Sequence, residues 1–482
     1  MGIENLIKID KKREEPLYMQ IYIQIKDMVE KGIIKEGTKL PTIRRLSKLL
    51  GVNTVTVVNA YHMLEKKGIA YSIVGSGTYI GAVNYKFDLS GDVEPEIVDS
   101  ISRPIGSRYI NFASSNPSHE LFPVREFKEI FAEVLDRDGG MAFTYQESMG
   151  YRPLRESLSR LLAKDGISTD PRKILIISGA QQGLDIISKV LVGQGDNILV
   201  ERPTYTGAIA VFKSRNANII DIPVTNEGID IKRLEEILRK HNIKLFYLMP
   251  MFQNPTGVRY SDEIKSRIMK LSREYGFFIV EDDFVSDIYY DSRPTPIWDY
   301  SHADNVIFIK SFSKVFMPGL RLAFMVLPDM LLESIQAAKY SSDIATSGFF
   351  QRSLQLFLDK GLWDKHTEML RHVYKARRDF MAECLNNIKN TGITFKIPDG
   401  GLNFWLTLPI SLNDREIYEA ALKEKVIVAP GSFFYLNNPE HNHLRLGFAS
   451  TNEDEIEGGI NIIRDILLAL RNENYIQTEP LL

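Results

Sequence analysis

The first 80 residues contain three short helical patterns followed by a strand-like segment. In the first helix, apolar residues recur every three or four positions, at Leu17, Ile21, Ile25 and Met28. Thr42 and Asn53 are residue types that cap helices, and each precedes a further apolar stripe. The glycine-rich run 69–80 has the pattern of a two-stranded wing. Two short helices joined by a tight turn predict a helix-turn-helix, whose second helix enters the major groove of DNA.

The rest of the chain alternates strand-like and helical patterns. Residues 82–108 have the composition of a linker. Short β-branched runs then follow at 173–177, 197–200, 219–222, 245–248, 277–280, 306–309 and 322–326. This alternation predicts a mostly parallel sheet with helices on both faces. We therefore expect three parts: a DNA-binding domain (1–81), the linker, and an α/β body (109–482). The body has a larger subdomain, about 109–330, and a smaller C-terminal α+β subdomain, about 331–482.

Composition indicates where the protein is located and which class of partner it binds. The net charge is −3, but residues 1–80 carry 13 Lys/Arg and 8 Asp/Glu, which favours a basic DNA-binding module on an acidic body. The single cysteine, Cys384, excludes an internal disulfide and is typical of a reducing cytosol. No apolar run is long enough to cross a bilayer, and the start of the chain has no secretory pattern. We expect a cytoplasmic protein with no membrane segment and no metal site.

A lysine follows the predicted strand 306–309. Ligands bind beyond the carboxyl ends of parallel strands, so the amine of Lys314 can be desolvated there. Such an amine can form an imine with the aldehyde of pyridoxal phosphate. Lys310 is the alternative lysine, and a solvated Lys/Ser loop is the alternative interpretation of the whole segment.

Other polar residues at strand ends have side chains suited to the remaining groups of pyridoxal phosphate. The phosphate of the cofactor can be held by a hydroxyl, a guanidinium and the start of a helix, which are supplied by Ser311, Arg321, Ala180 and Gln181. Asp282 can keep the pyridine nitrogen protonated, and Asn254 can stabilise the ionised phenolic oxygen. Tyr205 can lay its ring on the cofactor, and Arg445 can bind the carboxylate of an amino acid. Each residue alone has an ordinary explanation, such as a turn or a surface ion pair, but the ordered combination favours a cofactor site.

Residues 14–80 resemble the winged helix-turn-helix of the GntR family. The residues that carry the resemblance are the run Leu-Pro-Thr-Ile-Arg-Arg-Leu-Ser at 40–47, the pair Ala60-Tyr61, and Gly-Ser-Gly-Thr at 75–78. The resemblance implies DNA contacts through Arg44, Asn53, Thr54, Thr56 and Gly77. A small helical domain used for protein docking is the alternative.

Residues 109–472 resemble a fold type I aminotransferase of the aspartate aminotransferase group, on the ordered set Asn254, Asp282, Lys314 and Arg445. The resemblance implies the pyridoxal phosphate-dependent transferase fold and adds Ser313 to the phosphate site. It also implies a homodimer, because Tyr145 resembles a tyrosine that reaches the phosphate of a partner subunit. Phe284 departs from the pattern, which usually has a tyrosine as a second donor to the phenolic oxygen.

The two regions together resemble the MocR/GabR type of transcriptional regulator. This resemblance implies a DNA-binding protein that senses an amino acid or amine by imine exchange at Lys314. An active aminotransferase with a DNA-binding appendage is the alternative, since the tyrosine hydroxyl absent at Phe284 is the one group for transamination that is missing. A purely structural protein, binding neither cofactor nor DNA, is a third possibility.

Overall fold

The structure is a computed structural model that describes residues 6–10, 16–30, 33–34, 37–66, 69–73, 77–80, 109–297, 304–436 and 439–478. The chain separates into two compact units, Met1–Leu89 and Ser90–Leu482. The expected linker 82–108, and Gly75 and Ser76 of the expected wing, lie outside the described residues. None of the described helices combines the length and apolar character needed to span a membrane.

The first unit contains three helices and a two-stranded antiparallel sheet: α1 (Leu17–Glu30), α2 (Ile43–Leu50), α3 (Thr54–Lys66), β1 (Ala70–Ile73) and β2 (Gly77–Ile80). Thr42 caps α2 by accepting a hydrogen bond from the Arg45 backbone N–H, and Gly51 ends the helix with a φ of 60°. Asn53 caps α3, because its Oδ1 accepts from the Val55 N–H at 3.0 Å. The predicted apolar stripes form the core, with these side chains fully buried: Ile21, Ile25, Leu46, Val57, Ala60 and Leu64. The winged helix-turn-helix prediction is confirmed.

The second unit contains eleven further α-helices and fourteen strands among its described residues. In chain order they are β3 (Ile110–Asn111), α4 (Val124–Asp138), α5 (Arg152–Lys164), β4 (Ile174–Ile177), α6 (Ala180–Leu191), β5 (Asn197–Arg202), α7 (Thr206–Ser214), β6 (Asn218–Thr225), β7 (Gly228–Ile229), α8 (Ile231–Lys240), β8 (Ile243–Leu248), α9 (Asp262–Tyr275), β9 (Phe278–Asp283), β10 (Val306–Ser311), β11 (Ala323–Val326), α10 (Leu332–Asp343), α11 (Gly348–Asp359), α12 (Leu362–Asn387), β12 (Thr394–Phe395), β13 (Asn403–Thr407), α13 (Asp414–Lys423), β14 (Val426–Ile427), β15 (Ala429–Pro430), β16 (His443–Gly447) and α14 (Glu453–Thr478).

The large sheet has eight strands in the order β4-β11-β10-β9-β8-β5-β6-β7. The five strands from β10 to β6 in this order are parallel, whereas β11 and β7 run antiparallel to their neighbours. Successive residues of a strand face opposite sides of a sheet. In β4, Ile174 and Ile176 pack in one hydrophobic cluster, while Leu175 and Ile177 pack in another. Both faces are therefore covered, as predicted for a mostly parallel sheet.

The smaller sheet has four antiparallel strands in the order β12-β13-β16-β15. Strand β3, the first described element of this unit, pairs in parallel with β14. The segment that directly follows the linker in sequence is thereby fixed to the C-terminal part of the chain.

Candidate functional site

One cavity of about 470 Å³ brings together ten of the eleven residues predicted to contact the cofactor or ligand. They are Ala180, Gln181, Tyr205, Asn254, Asp282, Ser311, Ser313, Lys314, Arg321 and Arg445. Phe284 also lines this cavity, whereas Tyr145 does not. The predicted residues come mostly from the carboxyl ends of sheet strands and the loops that follow them, where parallel sheets bind their ligands.

Lys314 reaches the cavity from the loop after β10. Its Nζ donates a hydrogen bond to Asn116 Oδ1 at 2.7 Å. Burial, together with the positive charges of Arg445 and Arg321, lowers the pKa of Lys314 to about 8. A large fraction of such an amine is neutral near pH 8, and the neutral form is the nucleophile.

Lys310, the alternative lysine, is held elsewhere. Its Nζ lies 2.6 Å from Asp283 Oδ2 and 2.9 Å from Asp287 Oδ2, and its side chain is almost completely buried. Burial lowers the pKa of Lys310, but the carboxylates of Asp283, Asp287 and Asp165 outweigh this effect and raise it above the ordinary value. A permanently charged, fully paired amine is a poor nucleophile, so the geometry favours Lys314.

The two carboxylate oxygens of Asp282 differ in their hydrogen bonding. Its Oδ2 accepts a hydrogen bond from the Tyr247 hydroxyl at 2.8 Å. Its Oδ1 is buried and has no hydrogen-bond partner among the described residues. Burial raises the pKa of Asp282 to about 7, against the opposing effect of the Tyr247 hydrogen bond. A buried acceptor without a donor is costly, and a protonated pyridine nitrogen is a donor that would satisfy it.

An anion-binding end lies at the start of α6. The first helical residue is Ala180, and a helix N-terminus attracts negative charge. Arg321 donates a hydrogen bond from Nη2 to the carbonyl oxygen of Ser178, the residue before Gly179, at 3.0 Å. A Cβ at Gly179 would lie 2.3 Å from that nitrogen, so any larger residue here would displace the guanidinium. Ser311 Oγ accepts from the Ser313 N–H at 3.2 Å and lines the same cavity. Helix dipole, guanidinium and hydroxyl together fit a phosphate.

Tyr205 and Gln181 form one wall of the cavity. The Tyr205 hydroxyl donates to Gln181 Oε1 at 3.3 Å. Burial raises the pKa of Tyr205, with a further contribution from Asp282, so the phenol stays neutral. The ring is therefore held as a planar, uncharged surface.

Arg445 and Asn254, which we predicted to bind different groups, contact each other. Arg445 donates from Nη1 to Asn254 Oδ1 at 2.8 Å and from Nη2 to the Ala113 carbonyl oxygen. Its guanidinium lies 4.9 Å from the centre of the Phe434 ring. Burial lowers the pKa of Arg445 to about 10, which leaves it charged at neutral pH. Its Nε is buried and has no hydrogen-bond partner among the described residues, so the group retains capacity for an acceptor.

Tyr145 lies away from this cavity. Its side chain is 84% exposed, and it lines a separate cavity of about 490 Å³. Phe143, 69% exposed, lies in the same cavity and stacks on Phe349 with 5.4 Å between ring centres. A single chain therefore does not bring Tyr145 to Lys314, and its contact with a partner's site stays a prediction.

Three residues that the sequence did not single out support the cavity: Asn116, Tyr247 and Gln253. The buried Gln253 donates from Nε2 to Glu201 Oε2 at 3.1 Å and to the Pro203 carbonyl at 2.7 Å. Its Oε1 accepts from the N–H and the hydroxyl of Thr256. Gln253 therefore ties the turn that carries Asn254 to the loop that carries Tyr205. The sequence signal that could have identified Gln253 is a polar residue next to Asn254 inside an apolar segment.

The residues proposed for DNA contact are accessible in the first unit. Arg44, Asn53 and Thr54 are exposed at the starts of α2 and α3, and Thr56 is half-buried. Gly77 begins β2 with a φ of 125°, a conformation that favours glycine. Their contacts with DNA stay predictions.

Comparison with known protein families matches both units. Residues 17–80 match the model of bacterial regulatory proteins of the gntR family. Residues 107–463 match the model of aminotransferase class I and II.

Individual relatives extend over different parts of the chain. An uncharacterised HTH-type transcriptional regulator of Bacillus subtilis, YcxD, is 30% identical over 452 residues, which are 92% of this chain and 98% of the relative. Aromatic-amino-acid aminotransferase 1 of Thermococcus litoralis is 32% identical over 368 residues, or 75% of this chain and 88% of that protein.

A solved structure resembles the body. It is LysN, the alpha-aminoadipate aminotransferase of Thermus thermophilus, complexed with N-(5'-phosphopyridoxyl)-L-leucine. The TM-score is 0.74 at 30% identity, covering 80% of this chain and 98% of that one. The predicted fold type I aminotransferase architecture of the body is confirmed.

Proposed function

We propose that this chain, which belongs to the aminotransferase class I and II family and carries a gntR-family regulatory domain, is a pyridoxal phosphate-dependent transcriptional regulator. Its N-terminal domain binds DNA, and the cavity around Lys314 senses an amino acid or another amine by imine exchange at that lysine. YcxD, a relative matched over most of the chain, is named as a transcriptional regulator, and this supports the proposal.

The observation that carries the proposal is the combination of Lys314 and Asp282 in one cavity. The lysine has a lowered pKa, and the aspartate has a buried oxygen without a donor among the described residues. A nucleophilic amine at one side and an acceptor for a cationic ring nitrogen at the other are the two groups that this cofactor requires.

Pyridoxal phosphate, when bound, supplies an aldehyde carbon for which Lys314 and an incoming amine compete. The chain's own groups hold it in place. Asp282 Oδ1 would accept a hydrogen bond from the protonated ring nitrogen, and the start of α6 with Ser311 and Arg321 would hold the phosphate. Asn254 would hold the phenolic oxygen.

The effector is an amine that carries a carboxylate. Arg445 is buried and charged, and its hydrogen-bond acceptors among the described residues are the neutral oxygens of Asn254 and Ala113. A carboxylate would make a stronger, charge-assisted pair with the guanidinium than these acceptors do. The ligand carboxylate would therefore compete with Asn254 and Ala113 for Arg445, while the ligand amine competes with Lys314 for the aldehyde carbon.

The protein acts as a homodimer. Tyr145, Phe143 and Met141 are all more than half exposed on one segment. Apolar and aromatic side chains concentrated in this way mark a surface that binds another protein. A second copy of the chain would cover them, and Tyr145 would reach the phosphate site of that copy.

An aminotransferase with a DNA-binding appendage is the second candidate. Apart from Tyr145, every residue predicted for the cofactor and ligand lines the cavity, where Phe284 stands in place of the expected tyrosine. Aminotransferases are among the relatives at 32% identity. Because Phe284 lines the cavity, the missing hydroxyl bears directly on the cofactor environment.

Spectroscopy distinguishes the two candidates. The purified protein, loaded with pyridoxal phosphate, is titrated with a panel of amino acids, with and without a keto acid. For the regulator, we expect the absorbance spectrum to change when the amine binds and then to stay constant. Sustained conversion at many turnovers per minute would instead establish the enzyme. Lys314→Ala is the control that removes the response.

DNA binding has its own assay. Selection from random-sequence duplexes yields a bound site, whose affinity is then measured with and without effector. We expect retention on DNA at low salt and an effector-dependent change. A protein that fails to bind any duplex at low salt is not a transcriptional regulator of this kind.

A further inference from the structure

We propose that Asn116 is the docking position of the Lys314 amine whenever that lysine is free, and that this contact sets how readily an amine ligand displaces the lysine. The inference rests on the proposed function and identifies a positioning residue within it. Nothing in the sequence pattern pointed to Asn116.

The contact is direct and well suited to a free amine. Lys314 Nζ donates to Asn116 Oδ1 at 2.7 Å, and both side chains line the cavity. The charged groups that act on Lys314 most strongly, Arg445 and Arg321, are both cations and repel an ammonium. The neutral amide oxygen of Asn116 is therefore the acceptor that offsets this repulsion. Lys310 has no such dependence, because two carboxylates hold it.

Exchange with a ligand creates the free lysine. After losing a proton, the nitrogen of the incoming amine would form the double bond to the aldehyde carbon as the double bond from Lys314 Nζ breaks. The three protons of the ligand ammonium end on Lys314 Nζ, so atoms and charge balance and no oxidant or reductant is needed. A hydrogen bond available to the free ammonium, but not to the bonded lysine, favours the exchanged state.

Asn116 belongs to a segment that is fixed to the smaller subdomain. In this segment Ser115 Oγ donates to Asn403 Oδ1 at 2.7 Å, and Ser118 Oγ donates to the Ala449 carbonyl at 3.1 Å. The bond to Asn116 therefore crosses the cavity, from the lysine loop to the segment that follows residues 82–108 in sequence. Freeing Lys314 adds this cross-link, and bonding it to the cofactor removes it.

The test uses methylamine, which displaces a lysine without engaging Arg445. The full chain, loaded with pyridoxal phosphate, is titrated by absorbance to find the methylamine concentration of half-conversion. For Asn116→Ala we expect about a tenfold higher concentration, since one hydrogen bond to a charged group is lost. For Asn116→Asp we expect a lower concentration than in the parent, because a carboxylate holds the ammonium more strongly. Asn226→Ala, an exposed asparagine in the turn between β6 and β7, is the matched control.

A second measurement uses the cofactor-free protein. The pH dependence of the rate of cofactor capture gives the pKa of Lys314, which we expect to fall in Asn116→Ala and to rise in Asn116→Asp. Equal midpoints and equal pKa values in both variants and the control would overturn the role of Asn116. A parent protein that never binds pyridoxal phosphate would instead overturn the proposed function, so the two failures are distinct.

Discussion

Burial, and after it the charges of two arginines, lower the pKa of Lys314, which gives a quantitative prediction. A pKa of about 8 leaves the amine neutral in roughly one molecule in ten at pH 7. An ordinary lysine, at about 10.4, would be neutral in fewer than about one in a thousand. Cofactor capture at pH 7 should therefore be on the order of a hundredfold faster than for an exposed lysine, and its rate should rise with a midpoint near pH 8.

Substitution at Arg445 tests the cause. After burial, the charge of Arg445 contributes most to the lowered pKa of Lys314. Arg445→Met removes that charge and keeps much of the volume, so the pKa of Lys314 should rise, by up to about one unit for a charge across a cavity. Capture at pH 7 should slow by up to about tenfold. Arg445→Lys keeps a positive charge and should leave the midpoint close to that of the parent.

The assay mixes cofactor-free protein with pyridoxal phosphate between pH 6 and pH 10 and follows absorbance. Borohydride trapping and peptide mapping then identify the modified lysine. A midpoint near 10.4 in the parent, or identical midpoints in Arg445→Met and Arg445→Lys, would refute the electrostatic argument. Trapping at Lys310 would show that the wrong lysine was chosen.

Four further substitutions test other parts of the protein. Arg44→Ala should weaken DNA binding and lower the slope of log affinity against log salt by about one, and identical salt titrations would contradict the proposed docking. Phe284→Tyr adds a donor to the phenolic oxygen, so the bound imine should lose its proton at lower pH in absorbance titrations; an unchanged midpoint counts against that placement. Gln253→Ala should raise the dissociation constant of the cofactor about tenfold in equilibrium dialysis, because the Asn254 turn loses its anchor. Lys310→Met should lower the free energy of unfolding by about 3–5 kcal/mol, measured with urea, because buried carboxylates lose their cation.

The sequence predicted the cavity residues because most of them stand directly after an apolar run. A strand predicted at 245–248 or 306–309 also predicts where the following loop emerges, and parallel strands bring those loops to one edge. Asn254, Asp282 and Lys314 were placed together by this rule alone, without knowledge of side-chain packing.

The contacts across the cavity could not be predicted in the same way. Asn116 is 198 residues from Lys314, and Asn254 is 191 residues from Arg445. Each pair joins the large sheet, or a loop that follows one of its strands, to the four-stranded sheet or to the segment hydrogen-bonded to it. Their meeting depends on how these layers pack, and a local pattern of apolar residues carries no information on that packing. Tyr145 shows the same limit, because its expected partner lies on another chain.

The end of β10 at Ser311, together with strand alternation in β9, explains why two lysines four residues apart have opposite chemistry. The apolar run ended at residue 309, but β10 continues to Ser311, so Lys310 lies inside the sheet, opposite Asp283 of β9. Successive residues of β9 face opposite sides, so Asp282 faces the cavity while Asp283 pairs with Lys310. Two consecutive aspartates thus serve different purposes. Asp283 fixes a permanently charged lysine in the body of the protein. Asp282 and Lys314 both line the cavity, where the lysine amine stays free of any carboxylate within ion-pair distance among the described residues and can react.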